Sequence, residues 1–519
     1  MVRTDARRAA DAGSASRRRK AIVVALQLAL CLCAQVHAEE TIRREDMVWL
    51  QRIGFGVDSA DVARFRQLGR RRYLDAQLDP HGDGLPAPIR SLIGGYEVER
   101  TPTPRLLAGL QAEQQRIKAM PDGEARGAAK KAQQQHANEL LQQAQQAVLL
   151  RAVYGTDQLR EQMVWFWLNH FSVYGAKGRV RWVAADYADH AIRPHALGKF
   201  RDLVLATLES PAMLEFLDNA QNAKGKVNEN YARELMELHV LGVGSGYTQA
   251  DVQQLALVLT GSGVAPLRTD ARAPARAEPR GYVRKGLFAF KPARHDFSDK
   301  MLLGKRIRGR GFDEVGQAVD LITRQPACAQ FISRKLAQYF VADDPPKALV
   351  DAMARTFRRS DGDITQVLRT LFESRELVAK EGGKFKDPMQ FLVSSVRLAY
   401  DGRPIANAKP LLGWLNQLGE PLFGRATPDG WPLDAASWAS SGQMAKRFEI
   451  ARAIGSGNNP LFTPEDGTVP GGFPQLATRL YYDTIDTRLA ASTRVALAKA
   501  TSQQEWNTFL LASPDLNYR

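Results

Sequence analysis

Hydrophobic residues recur at the spacing of one helix face along most of the chain, and helix start signals precede many of these stretches. Ser210 and Asp387 each stand directly before a proline, which places a capping side chain ahead of the first helical position. Thr248 and Asp251 have the spacing of a capping box in an acidic variant. The pattern therefore predicts a mainly α protein, built as a multi-helix globular array with long loops.

Strand patterns are few. No series of alternating apolar and polar positions suggests a large sheet. The segments 287–290 and 301–303 are apolar and lie close together in the chain, so we expect at most a short β-hairpin between them.

Three stretches interrupt the helical pattern. Residues 105–150 are rich in Gln, Ala and Lys and are broken at 121–123, which predicts a long helical hairpin with one solvated side; disorder is the alternative. Residues 264–281 are rich in Pro, Ala and Arg and indicate a flexible insertion, and 455–472 indicates a long loop. We expect one helical domain over 45–519, with insertions near 105–150 and 264–281.

The first 38 residues have the pattern of a signal peptide. A basic stretch at 17–20 precedes an apolar run of 14 residues at 21–34, and small residues at 36–38 offer a cleavage site. The run is too short to span a bilayer as a helix. We therefore expect a periplasmic or secreted protein with no transmembrane span in the mature chain; an N-terminal membrane anchor is the alternative.

Composition excludes several classes of protein. The chain has 519 residues, of which 44% are hydrophobic, enough for a large packed core. Two of its three cysteines lie in the apolar run, so a disulfide framework and a cysteine-based zinc site are excluded. The sequence contains no zinc-protease, nucleophile-elbow, phosphate-loop or dinucleotide motif. It therefore indicates no reaction class, cofactor, metal or substrate.

The positive charge is unevenly placed. The net charge is +15, and the predicted leader carries seven basic and two acidic residues, which leaves +10. Residues 268–310 contain 13 basic and 4 acidic residues, a net of +9. This segment could attract an anionic polymer or an acidic protein, or it could be a loop kept soluble by its charge. Specific nucleic-acid binding is disfavoured because no recognition motif is present.

His170 is the first candidate for chemistry. It falls on an apolar stripe with Met163 and Phe166, next to Asn169, and therefore points toward the core. Burial favours a neutral imidazole that needs a hydrogen-bond partner. A core histidine satisfied by a backbone carbonyl is the structural alternative.

Glu234 and His239 are the next candidates. On a helical projection, Glu234 falls inside an apolar arc and His239 lies at its edge. A carboxylate within an apolar stripe is costly unless it is paired or protonated. A structural ion pair, a proton-transfer carboxylate and a metal ligand assisted by His170 or His239 all remain open.

Two loop motifs complete the candidates. His295 and Asp296 lie in the basic segment, where such a pair can orient an imidazole or bind a metal; an exposed histidine beside a loop-stabilising aspartate is the alternative. The sequence PDGWP at 428–432 predicts a turn that presents Trp431, either to stack on a sugar or to pack on the helices.

These motifs resemble a secreted bacterial family catalogued as domain of unknown function 1800. The most specific is NENYARELMELHVLG at 228–242, and the chain departs from the family pattern at Ser262 and Ser298. The resemblance covers roughly residues 45 to 519 and recurs at 52–56, 166–171, 246–251, 259–261, 295–296, 331–336 and 428–432.

The resemblance implies a mainly helical, exported bacterial protein, with a secreted sulfatase-like neighbour as a possible partner. It implies no reaction. Our leading hypothesis is an enzyme-like pocket in which Glu234 is the general acid or base and His170 its partner, with Asn169, His239 and the 295–296 loop alongside. The rival is a non-catalytic binding or assembly module that docks an anionic partner through 268–310.

Overall fold

Helices supply nearly all the regular structure of the computed structural model, which describes residues 42–266, 279–379, 383–463 and 472–519. Arg44–Arg519 forms one unit. In the first half of the chain the helices are α1 Arg44–Ile53, α2 Ser59–Leu78, α3 Ala87–Gly94, α4 Glu97–Arg100, α5 Thr103–Ala119, α6 Glu124–Tyr154, α7 Gln158–His170, α8 Val180–Asp186, α9 Phe200–Glu209, α10 Pro211–Phe216, α11 Asn230–Glu234 and α12 Gln249–Val258.

The second half of the chain continues the helical array. Its helices are α13 Asp313–Thr323, α14 Pro326–Phe340, α15 Lys347–Arg359, α16 Ile364–Phe372, α17 Glu376–Ala379, α18 Pro388–Tyr400, α19 Lys409–Gln417, α20 Ser441–Gly455, α21 Arg479–Thr484, α22 Ala491–Ala498 and α23 Gln503–Ala512. The prediction of a mainly α fold is confirmed.

The predicted start signals are used as helix caps. The Thr248 side chain accepts from the Asp251 N–H while the Asp251 carboxylate accepts from the Thr248 N–H, so the capping box at the start of α12 is formed. Ser210 accepts from the Ala212 N–H at α10, and Asp387 caps α18 in the same way. These caps satisfy amide groups that the first helical turn leaves without partners.

Short antiparallel strands make up two small sheets. β1 Ser262–Val264, β2 Val283–Lys285 and β3 Phe288–Phe290 form one sheet in the order β1-β3-β2, and β4 Lys300–Leu302 pairs with β5 Lys305–Ile307. Both segments of the predicted hairpin are strands, but the predicted pairing between them is wrong. Each pairs instead with its nearest neighbour in sequence across a two-residue turn, and at Leu303–Gly304 both φ angles are positive, as primed hairpin turns require.

The segments predicted to interrupt the helical pattern differ from one another in the structure. Helices α5 and α6 form where a long helical hairpin was predicted, and the first half of α6 is largely exposed. The predicted leader at 1–38, most of the 264–281 insertion and half of the 455–472 loop lie outside the described residues. No helix in the described ranges is both long and apolar enough to cross a membrane.

Helix α7 runs through the core and positions the candidate site at its C-terminal end. Every residue of α7 except Arg160 is buried. Trp167 packs against Phe171 and Phe200, with ring centroids 5.9 and 5.7 Å away. Burial on all sides fixes the direction of the last turn, which carries Asn169 and His170.

Candidate functional site

Two buried histidines meet at the end of α7. The Nε2 atom of His170 lies 2.8 Å from the backbone carbonyl oxygen of His239, and the two ring centroids are 6.0 Å apart. With Nε2 as the donor, His170 is the neutral tautomer whose Nδ1 is an acceptor, and this buried Nδ1 has no hydrogen-bond partner among the described residues. The structural alternative, a core histidine satisfied by a backbone carbonyl, therefore holds for Nε2 of His170 but not for Nδ1.

Both imidazoles are held neutral. Burial, then the positive charge of Lys335, lowers the pKa of His170 well below its usual range. The same two causes lower the pKa of His239 to about 3, against an opposing interaction with the Pro428 backbone. Neither ring nitrogen of His239 has a hydrogen-bond partner of normal geometry in the described part of the chain. Neither histidine is therefore a cation near neutral pH.

A π-helical turn places His239 in this position. Residues Leu235–Val240 continue α11 as a π helix, and His239 on this turn is fully buried. The wider turn changes the angular position of every residue after Glu234 relative to a regular α-helix. The helical projection therefore placed His239 only at the edge of the apolar arc.

Glu234 lies at the start of that turn and is only half-buried. Burial, then the neighbouring Glu237, raises its pKa, while Arg233 opposes the shift. Among the described residues no hydrogen bond or ion pair joins Glu234 to His170 or His239. The pairing of Glu234 with His170 is not found, because His170 is directed at the His239 carbonyl instead.

Asn169 holds a loop over the end of α7. Its Oδ1 accepts from the Trp431 N–H at 2.6 Å, and its Nδ2 donates to the Trp431 carbonyl at 3.0 Å. We call residues 428–432 the Trp431 loop. Asp429 in this loop binds Arg425 through both carboxylate oxygens, at 3.0 and 2.6 Å. The turn predicted here is formed, and Asn169 fixes it.

His295 belongs to a separate buried cluster. Its Nε2 lies 3.0 Å from Glu314 Oε1, and Lys300 Nζ lies 2.6 Å from the other carboxylate oxygen; all three side chains are fully buried. Its Nδ1 lies 2.8 Å from the Thr260 carbonyl. In the part of the chain that is described, no hydrogen bond, ion pair or ring contact joins His295 to His170, Glu234 or His239, so the expected convergence of these residues is not found.

Asp296 is a loop-stabilising residue. Its carboxylate accepts from the Ser298 N–H at 2.8 Å and from the Ser298 hydroxyl. These hydrogen bonds lower its pKa. Asp296 does not orient His295, since Glu314 does so. The predicted His295–Asp296 pair is therefore two residues with separate partners.

Sequence reasoning missed Lys335. This side chain is partly open to solvent but closely surrounded by protein, and burial lowers its pKa to about 8. Its Nζ lies 5.4 Å from the Phe331 ring centroid. It sits in α14 on a face shared with Ile332 and Tyr339, both buried. A lysine within an apolar stripe is the signal that singled out Glu234, and it could have identified Lys335 as well.

Two cavities meet at Lys335. The larger, which we call the Lys335 groove, has a volume of about 1100 Å³ and is lined mainly by apolar side chains and charged rim residues, among them Leu241, Val243, Phe331, Arg334, Pro346, Lys347 and Val350. The smaller, about 250 Å³, lies between α14 and the Trp431 loop and is lined by Asp429 and Trp431 among others. Neither cavity is lined by a histidine.

The metal hypothesis gains no support from the geometry. In residues 42–266, 279–379, 383–463 and 472–519, no group of three or more His, Cys, Asp or Glu side chains is placed to hold a metal ion. The predicted ligands are spread over the π-helical turn, the end of α7 and the 295–296 loop.

The chain belongs to a family of uncharacterised proteins. The model of the family described as "Protein of unknown function (DUF1800)" matches residues 48–518, nearly the whole of the described chain. The resemblance seen in the motifs is thus confirmed as family membership. No curated protein and no solved structure matches the chain.

Proposed function

We propose that this protein binds an organic anion that has an apolar body, with the anionic group at Lys335 and the body in the Lys335 groove. The observation that supports this is a closely surrounded ammonium group that opens onto two cavities and has no counter-ion among the described residues. Ion pairs and hydrogen bonds are the usual compensation for such a charge, since an unpaired one is costly.

Asp429, the carboxylate whose charge acts on Lys335, is already engaged elsewhere. Asp429 raises the pKa of Lys335 slightly through its charge, but it binds Arg425 and the Thr427 hydroxyl. No carboxylate of the described chain lies within 4.0 Å of Lys335 Nζ. A bound carboxylate, sulfonate or phosphate would provide the missing partner.

The rest of the groove favours an apolar ligand body. The other two basic residues on its rim have partners, since Arg334 lies 3.5 Å from Asp344 and Lys347 lies 2.6 Å from Asp351. The floor includes Leu241 and Phe331. A concave, mainly apolar site with a few polar or charged groups is the usual design of a small-molecule site.

The Lys335 amine supports an enzyme-like role more directly than Glu234 does. An amine with a pKa near 8 is partly neutral in mildly alkaline solution and can then accept a proton or attack a carbonyl carbon. In this proposal His170 and His239 are neutral neighbours of Lys335, whose positive charge helps to lower the pKa of both. The predicted leader makes the periplasm or the medium the expected source of the ligand.

The test uses decanoate as the probe and decanol as its uncharged counterpart, with binding measured by isothermal titration calorimetry. We expect decanoate to bind wild-type protein at least about tenfold more tightly than decanol, and Lys335→Met to remove this preference. Lys347→Met is the matched control, because it removes an exposed, paired charge from the rim of the same groove. Equal binding of decanoate by wild type and Lys335→Met would overturn the proposal.

A further inference from the structure

The β4–β5 hairpin carries two exposed apolar side chains. Met301 is 54% exposed and Phe297, just before β4, is 48% exposed. Met301 pairs with Arg306 across the hairpin, and residues directly opposite each other in an antiparallel pair project from the same face. Arg308 directly follows the end of β5 and is exposed.

Basic side chains surround these apolar residues. Lys305, Arg306, Arg308 and Arg310 are all exposed. Arg306 is paired with Asp299. The described residues contain no ion-pair partner within 4.0 Å for the other three, so the exposed surface of the hairpin and the segment after it keeps an excess of positive charge.

The inner face of the hairpin is fixed to the protein. Lys300, which opens β4, is buried against Glu314, and Leu302 and Ile307 are also buried. The backbone at Gly309 runs so close to Phe297 that an added Cβ would lie 1.9 Å from the Phe297 carbonyl oxygen. The outer face is therefore presented on a rigid support.

We propose that the exposed surface formed by Met301, Arg306, Arg308 and Arg310, with Phe297 just before the hairpin, docks on the surface of an anionic lipid bilayer. The basic residues contact lipid phosphates, while Met301 and Phe297 enter the boundary between head groups and acyl chains. A polar anionic polymer would match the charge but would leave the two apolar side chains in water. The combination therefore favours lipid over the polysaccharide or acidic protein that charge could also attract.

The experiment is vesicle flotation with the full chain. Vesicles of phosphatidylcholine alone are compared with vesicles that also contain phosphatidylglycerol. We expect binding to the anionic vesicles only, weakened by salt. Removing one basic residue should weaken binding by about fivefold, so the double charge reversal Arg308→Glu with Arg310→Glu should weaken it by at least about tenfold. Arg324→Glu, at an exposed arginine outside the hairpin, is the control.

A second variant separates lipid insertion from charge attraction. Met301→Ser leaves every charge in place and should weaken vesicle binding several-fold, whereas Val495→Ser, at another exposed apolar residue, should not. Thermal unfolding checks that each variant is folded. Full retention of binding by Met301→Ser, absence of binding to anionic vesicles, or equal binding to heparin that depends on the same arginines would overturn the proposal. Lys335→Met should bind vesicles normally, which keeps this test independent of the proposed groove ligand.

Discussion

The side-chain amide of Asn169 and the backbone of Trp431 exchange two hydrogen bonds, one in each direction. The Asn169 amide accepts from the Trp431 N–H and donates to the Trp431 carbonyl. This pair ties the Trp431 loop to the last turn of α7. It thereby brings Asp429, in the loop, to the same small cavity as Lys335.

Substitution of Asn169 by aspartate should loosen this loop. The substitution keeps the size of the side chain but turns the Nδ2 donor into an acceptor that faces the Trp431 carbonyl. We expect a loss of about 1–3 kcal/mol in the free energy of unfolding, because one hydrogen bond is lost and the part-buried Trp431 carbonyl faces a carboxylate oxygen instead of a donor. Urea unfolding of Asn169→Asp measures this. The exposed Asn138→Asp should change stability by less than about 0.5 kcal/mol, and an equal loss in both variants would contradict the prediction.

Protonation of His239 should destabilise the protein in acid. Its pKa is about 3 in the folded protein and 6.5 in an unperturbed chain, so below pH 6.5 the unfolded state binds more protons. Stability therefore falls as the pH drops from about 6.5 toward 3, by up to about 1.4 kcal/mol per pH unit for this one group. Urea unfolding across this range should show a shallower fall for His239→Phe than for wild type. His81→Phe, at a highly exposed histidine, should keep the wild-type slope.

The affinity of the Lys335 site for an anion should fall as the pH rises through the pKa of the Lys335 amine. An anion prefers the protonated amine, whose pKa is about 8 in the free protein. Decanoate affinity should therefore be constant between about pH 6 and pH 7, where the probe is ionised, and fall by up to about tenfold per pH unit above 8, as the charged fraction of Lys335 decreases. Calorimetry at several pH values measures this. An affinity that stays flat from about pH 7 to pH 10 would show that Lys335 does not contact the anion.

The sequence was sufficient for the elements whose signals are local. The caps at Thr248 and Asp387 depend on residues three positions apart, and both are formed. The resemblance carried by 228–242 led to the family, and family membership is now shown. Helical periodicity also placed His170 in the core correctly.

The rest depended on contacts between distant segments. Nothing near His295 in the sequence indicates Glu314, which lies on the next helix, and the adjacent Asp296 was the more obvious partner. The π-helical turn after Glu234 changed which side chains face the core, and periodicity assumes a regular helix. Lys335 was overlooked because a single lysine on an amphipathic helix usually lies on the solvated face.

The cluster of His295, Glu314 and Lys300 should stabilise the fold, and removal of the Glu314 charge should lower the free energy of unfolding. Glu314→Gln leaves the fully buried Lys300 ammonium without a counter-ion, which should cost about 3–5 kcal/mol of stability. Asp296→Asn keeps an acceptor for Ser298 and should cost less than about 1 kcal/mol. Urea unfolding of the two variants checks the difference. Similar losses of stability in the two variants would mean that Glu314 does not stabilise the buried Lys300 ammonium.

Gly430 should be irreplaceable because of the close approach of the Trp431 loop to α7. Its φ of +73° disfavours any side chain, and an added Cβ would lie 2.2 Å from the Asn169 carbonyl oxygen. Gly225 provides a matched control, since its φ is +75° but open space surrounds the position of its Cβ. Gly225→Ala should therefore cost about 1 kcal/mol for the backbone conformation alone. Gly430→Ala should cost at least about 2 kcal/mol more, because the clash is with backbone and the loop must move off Asn169. Urea unfolding gives both values. Equal stability losses in the two alanine variants would show that the loop is not held against α7.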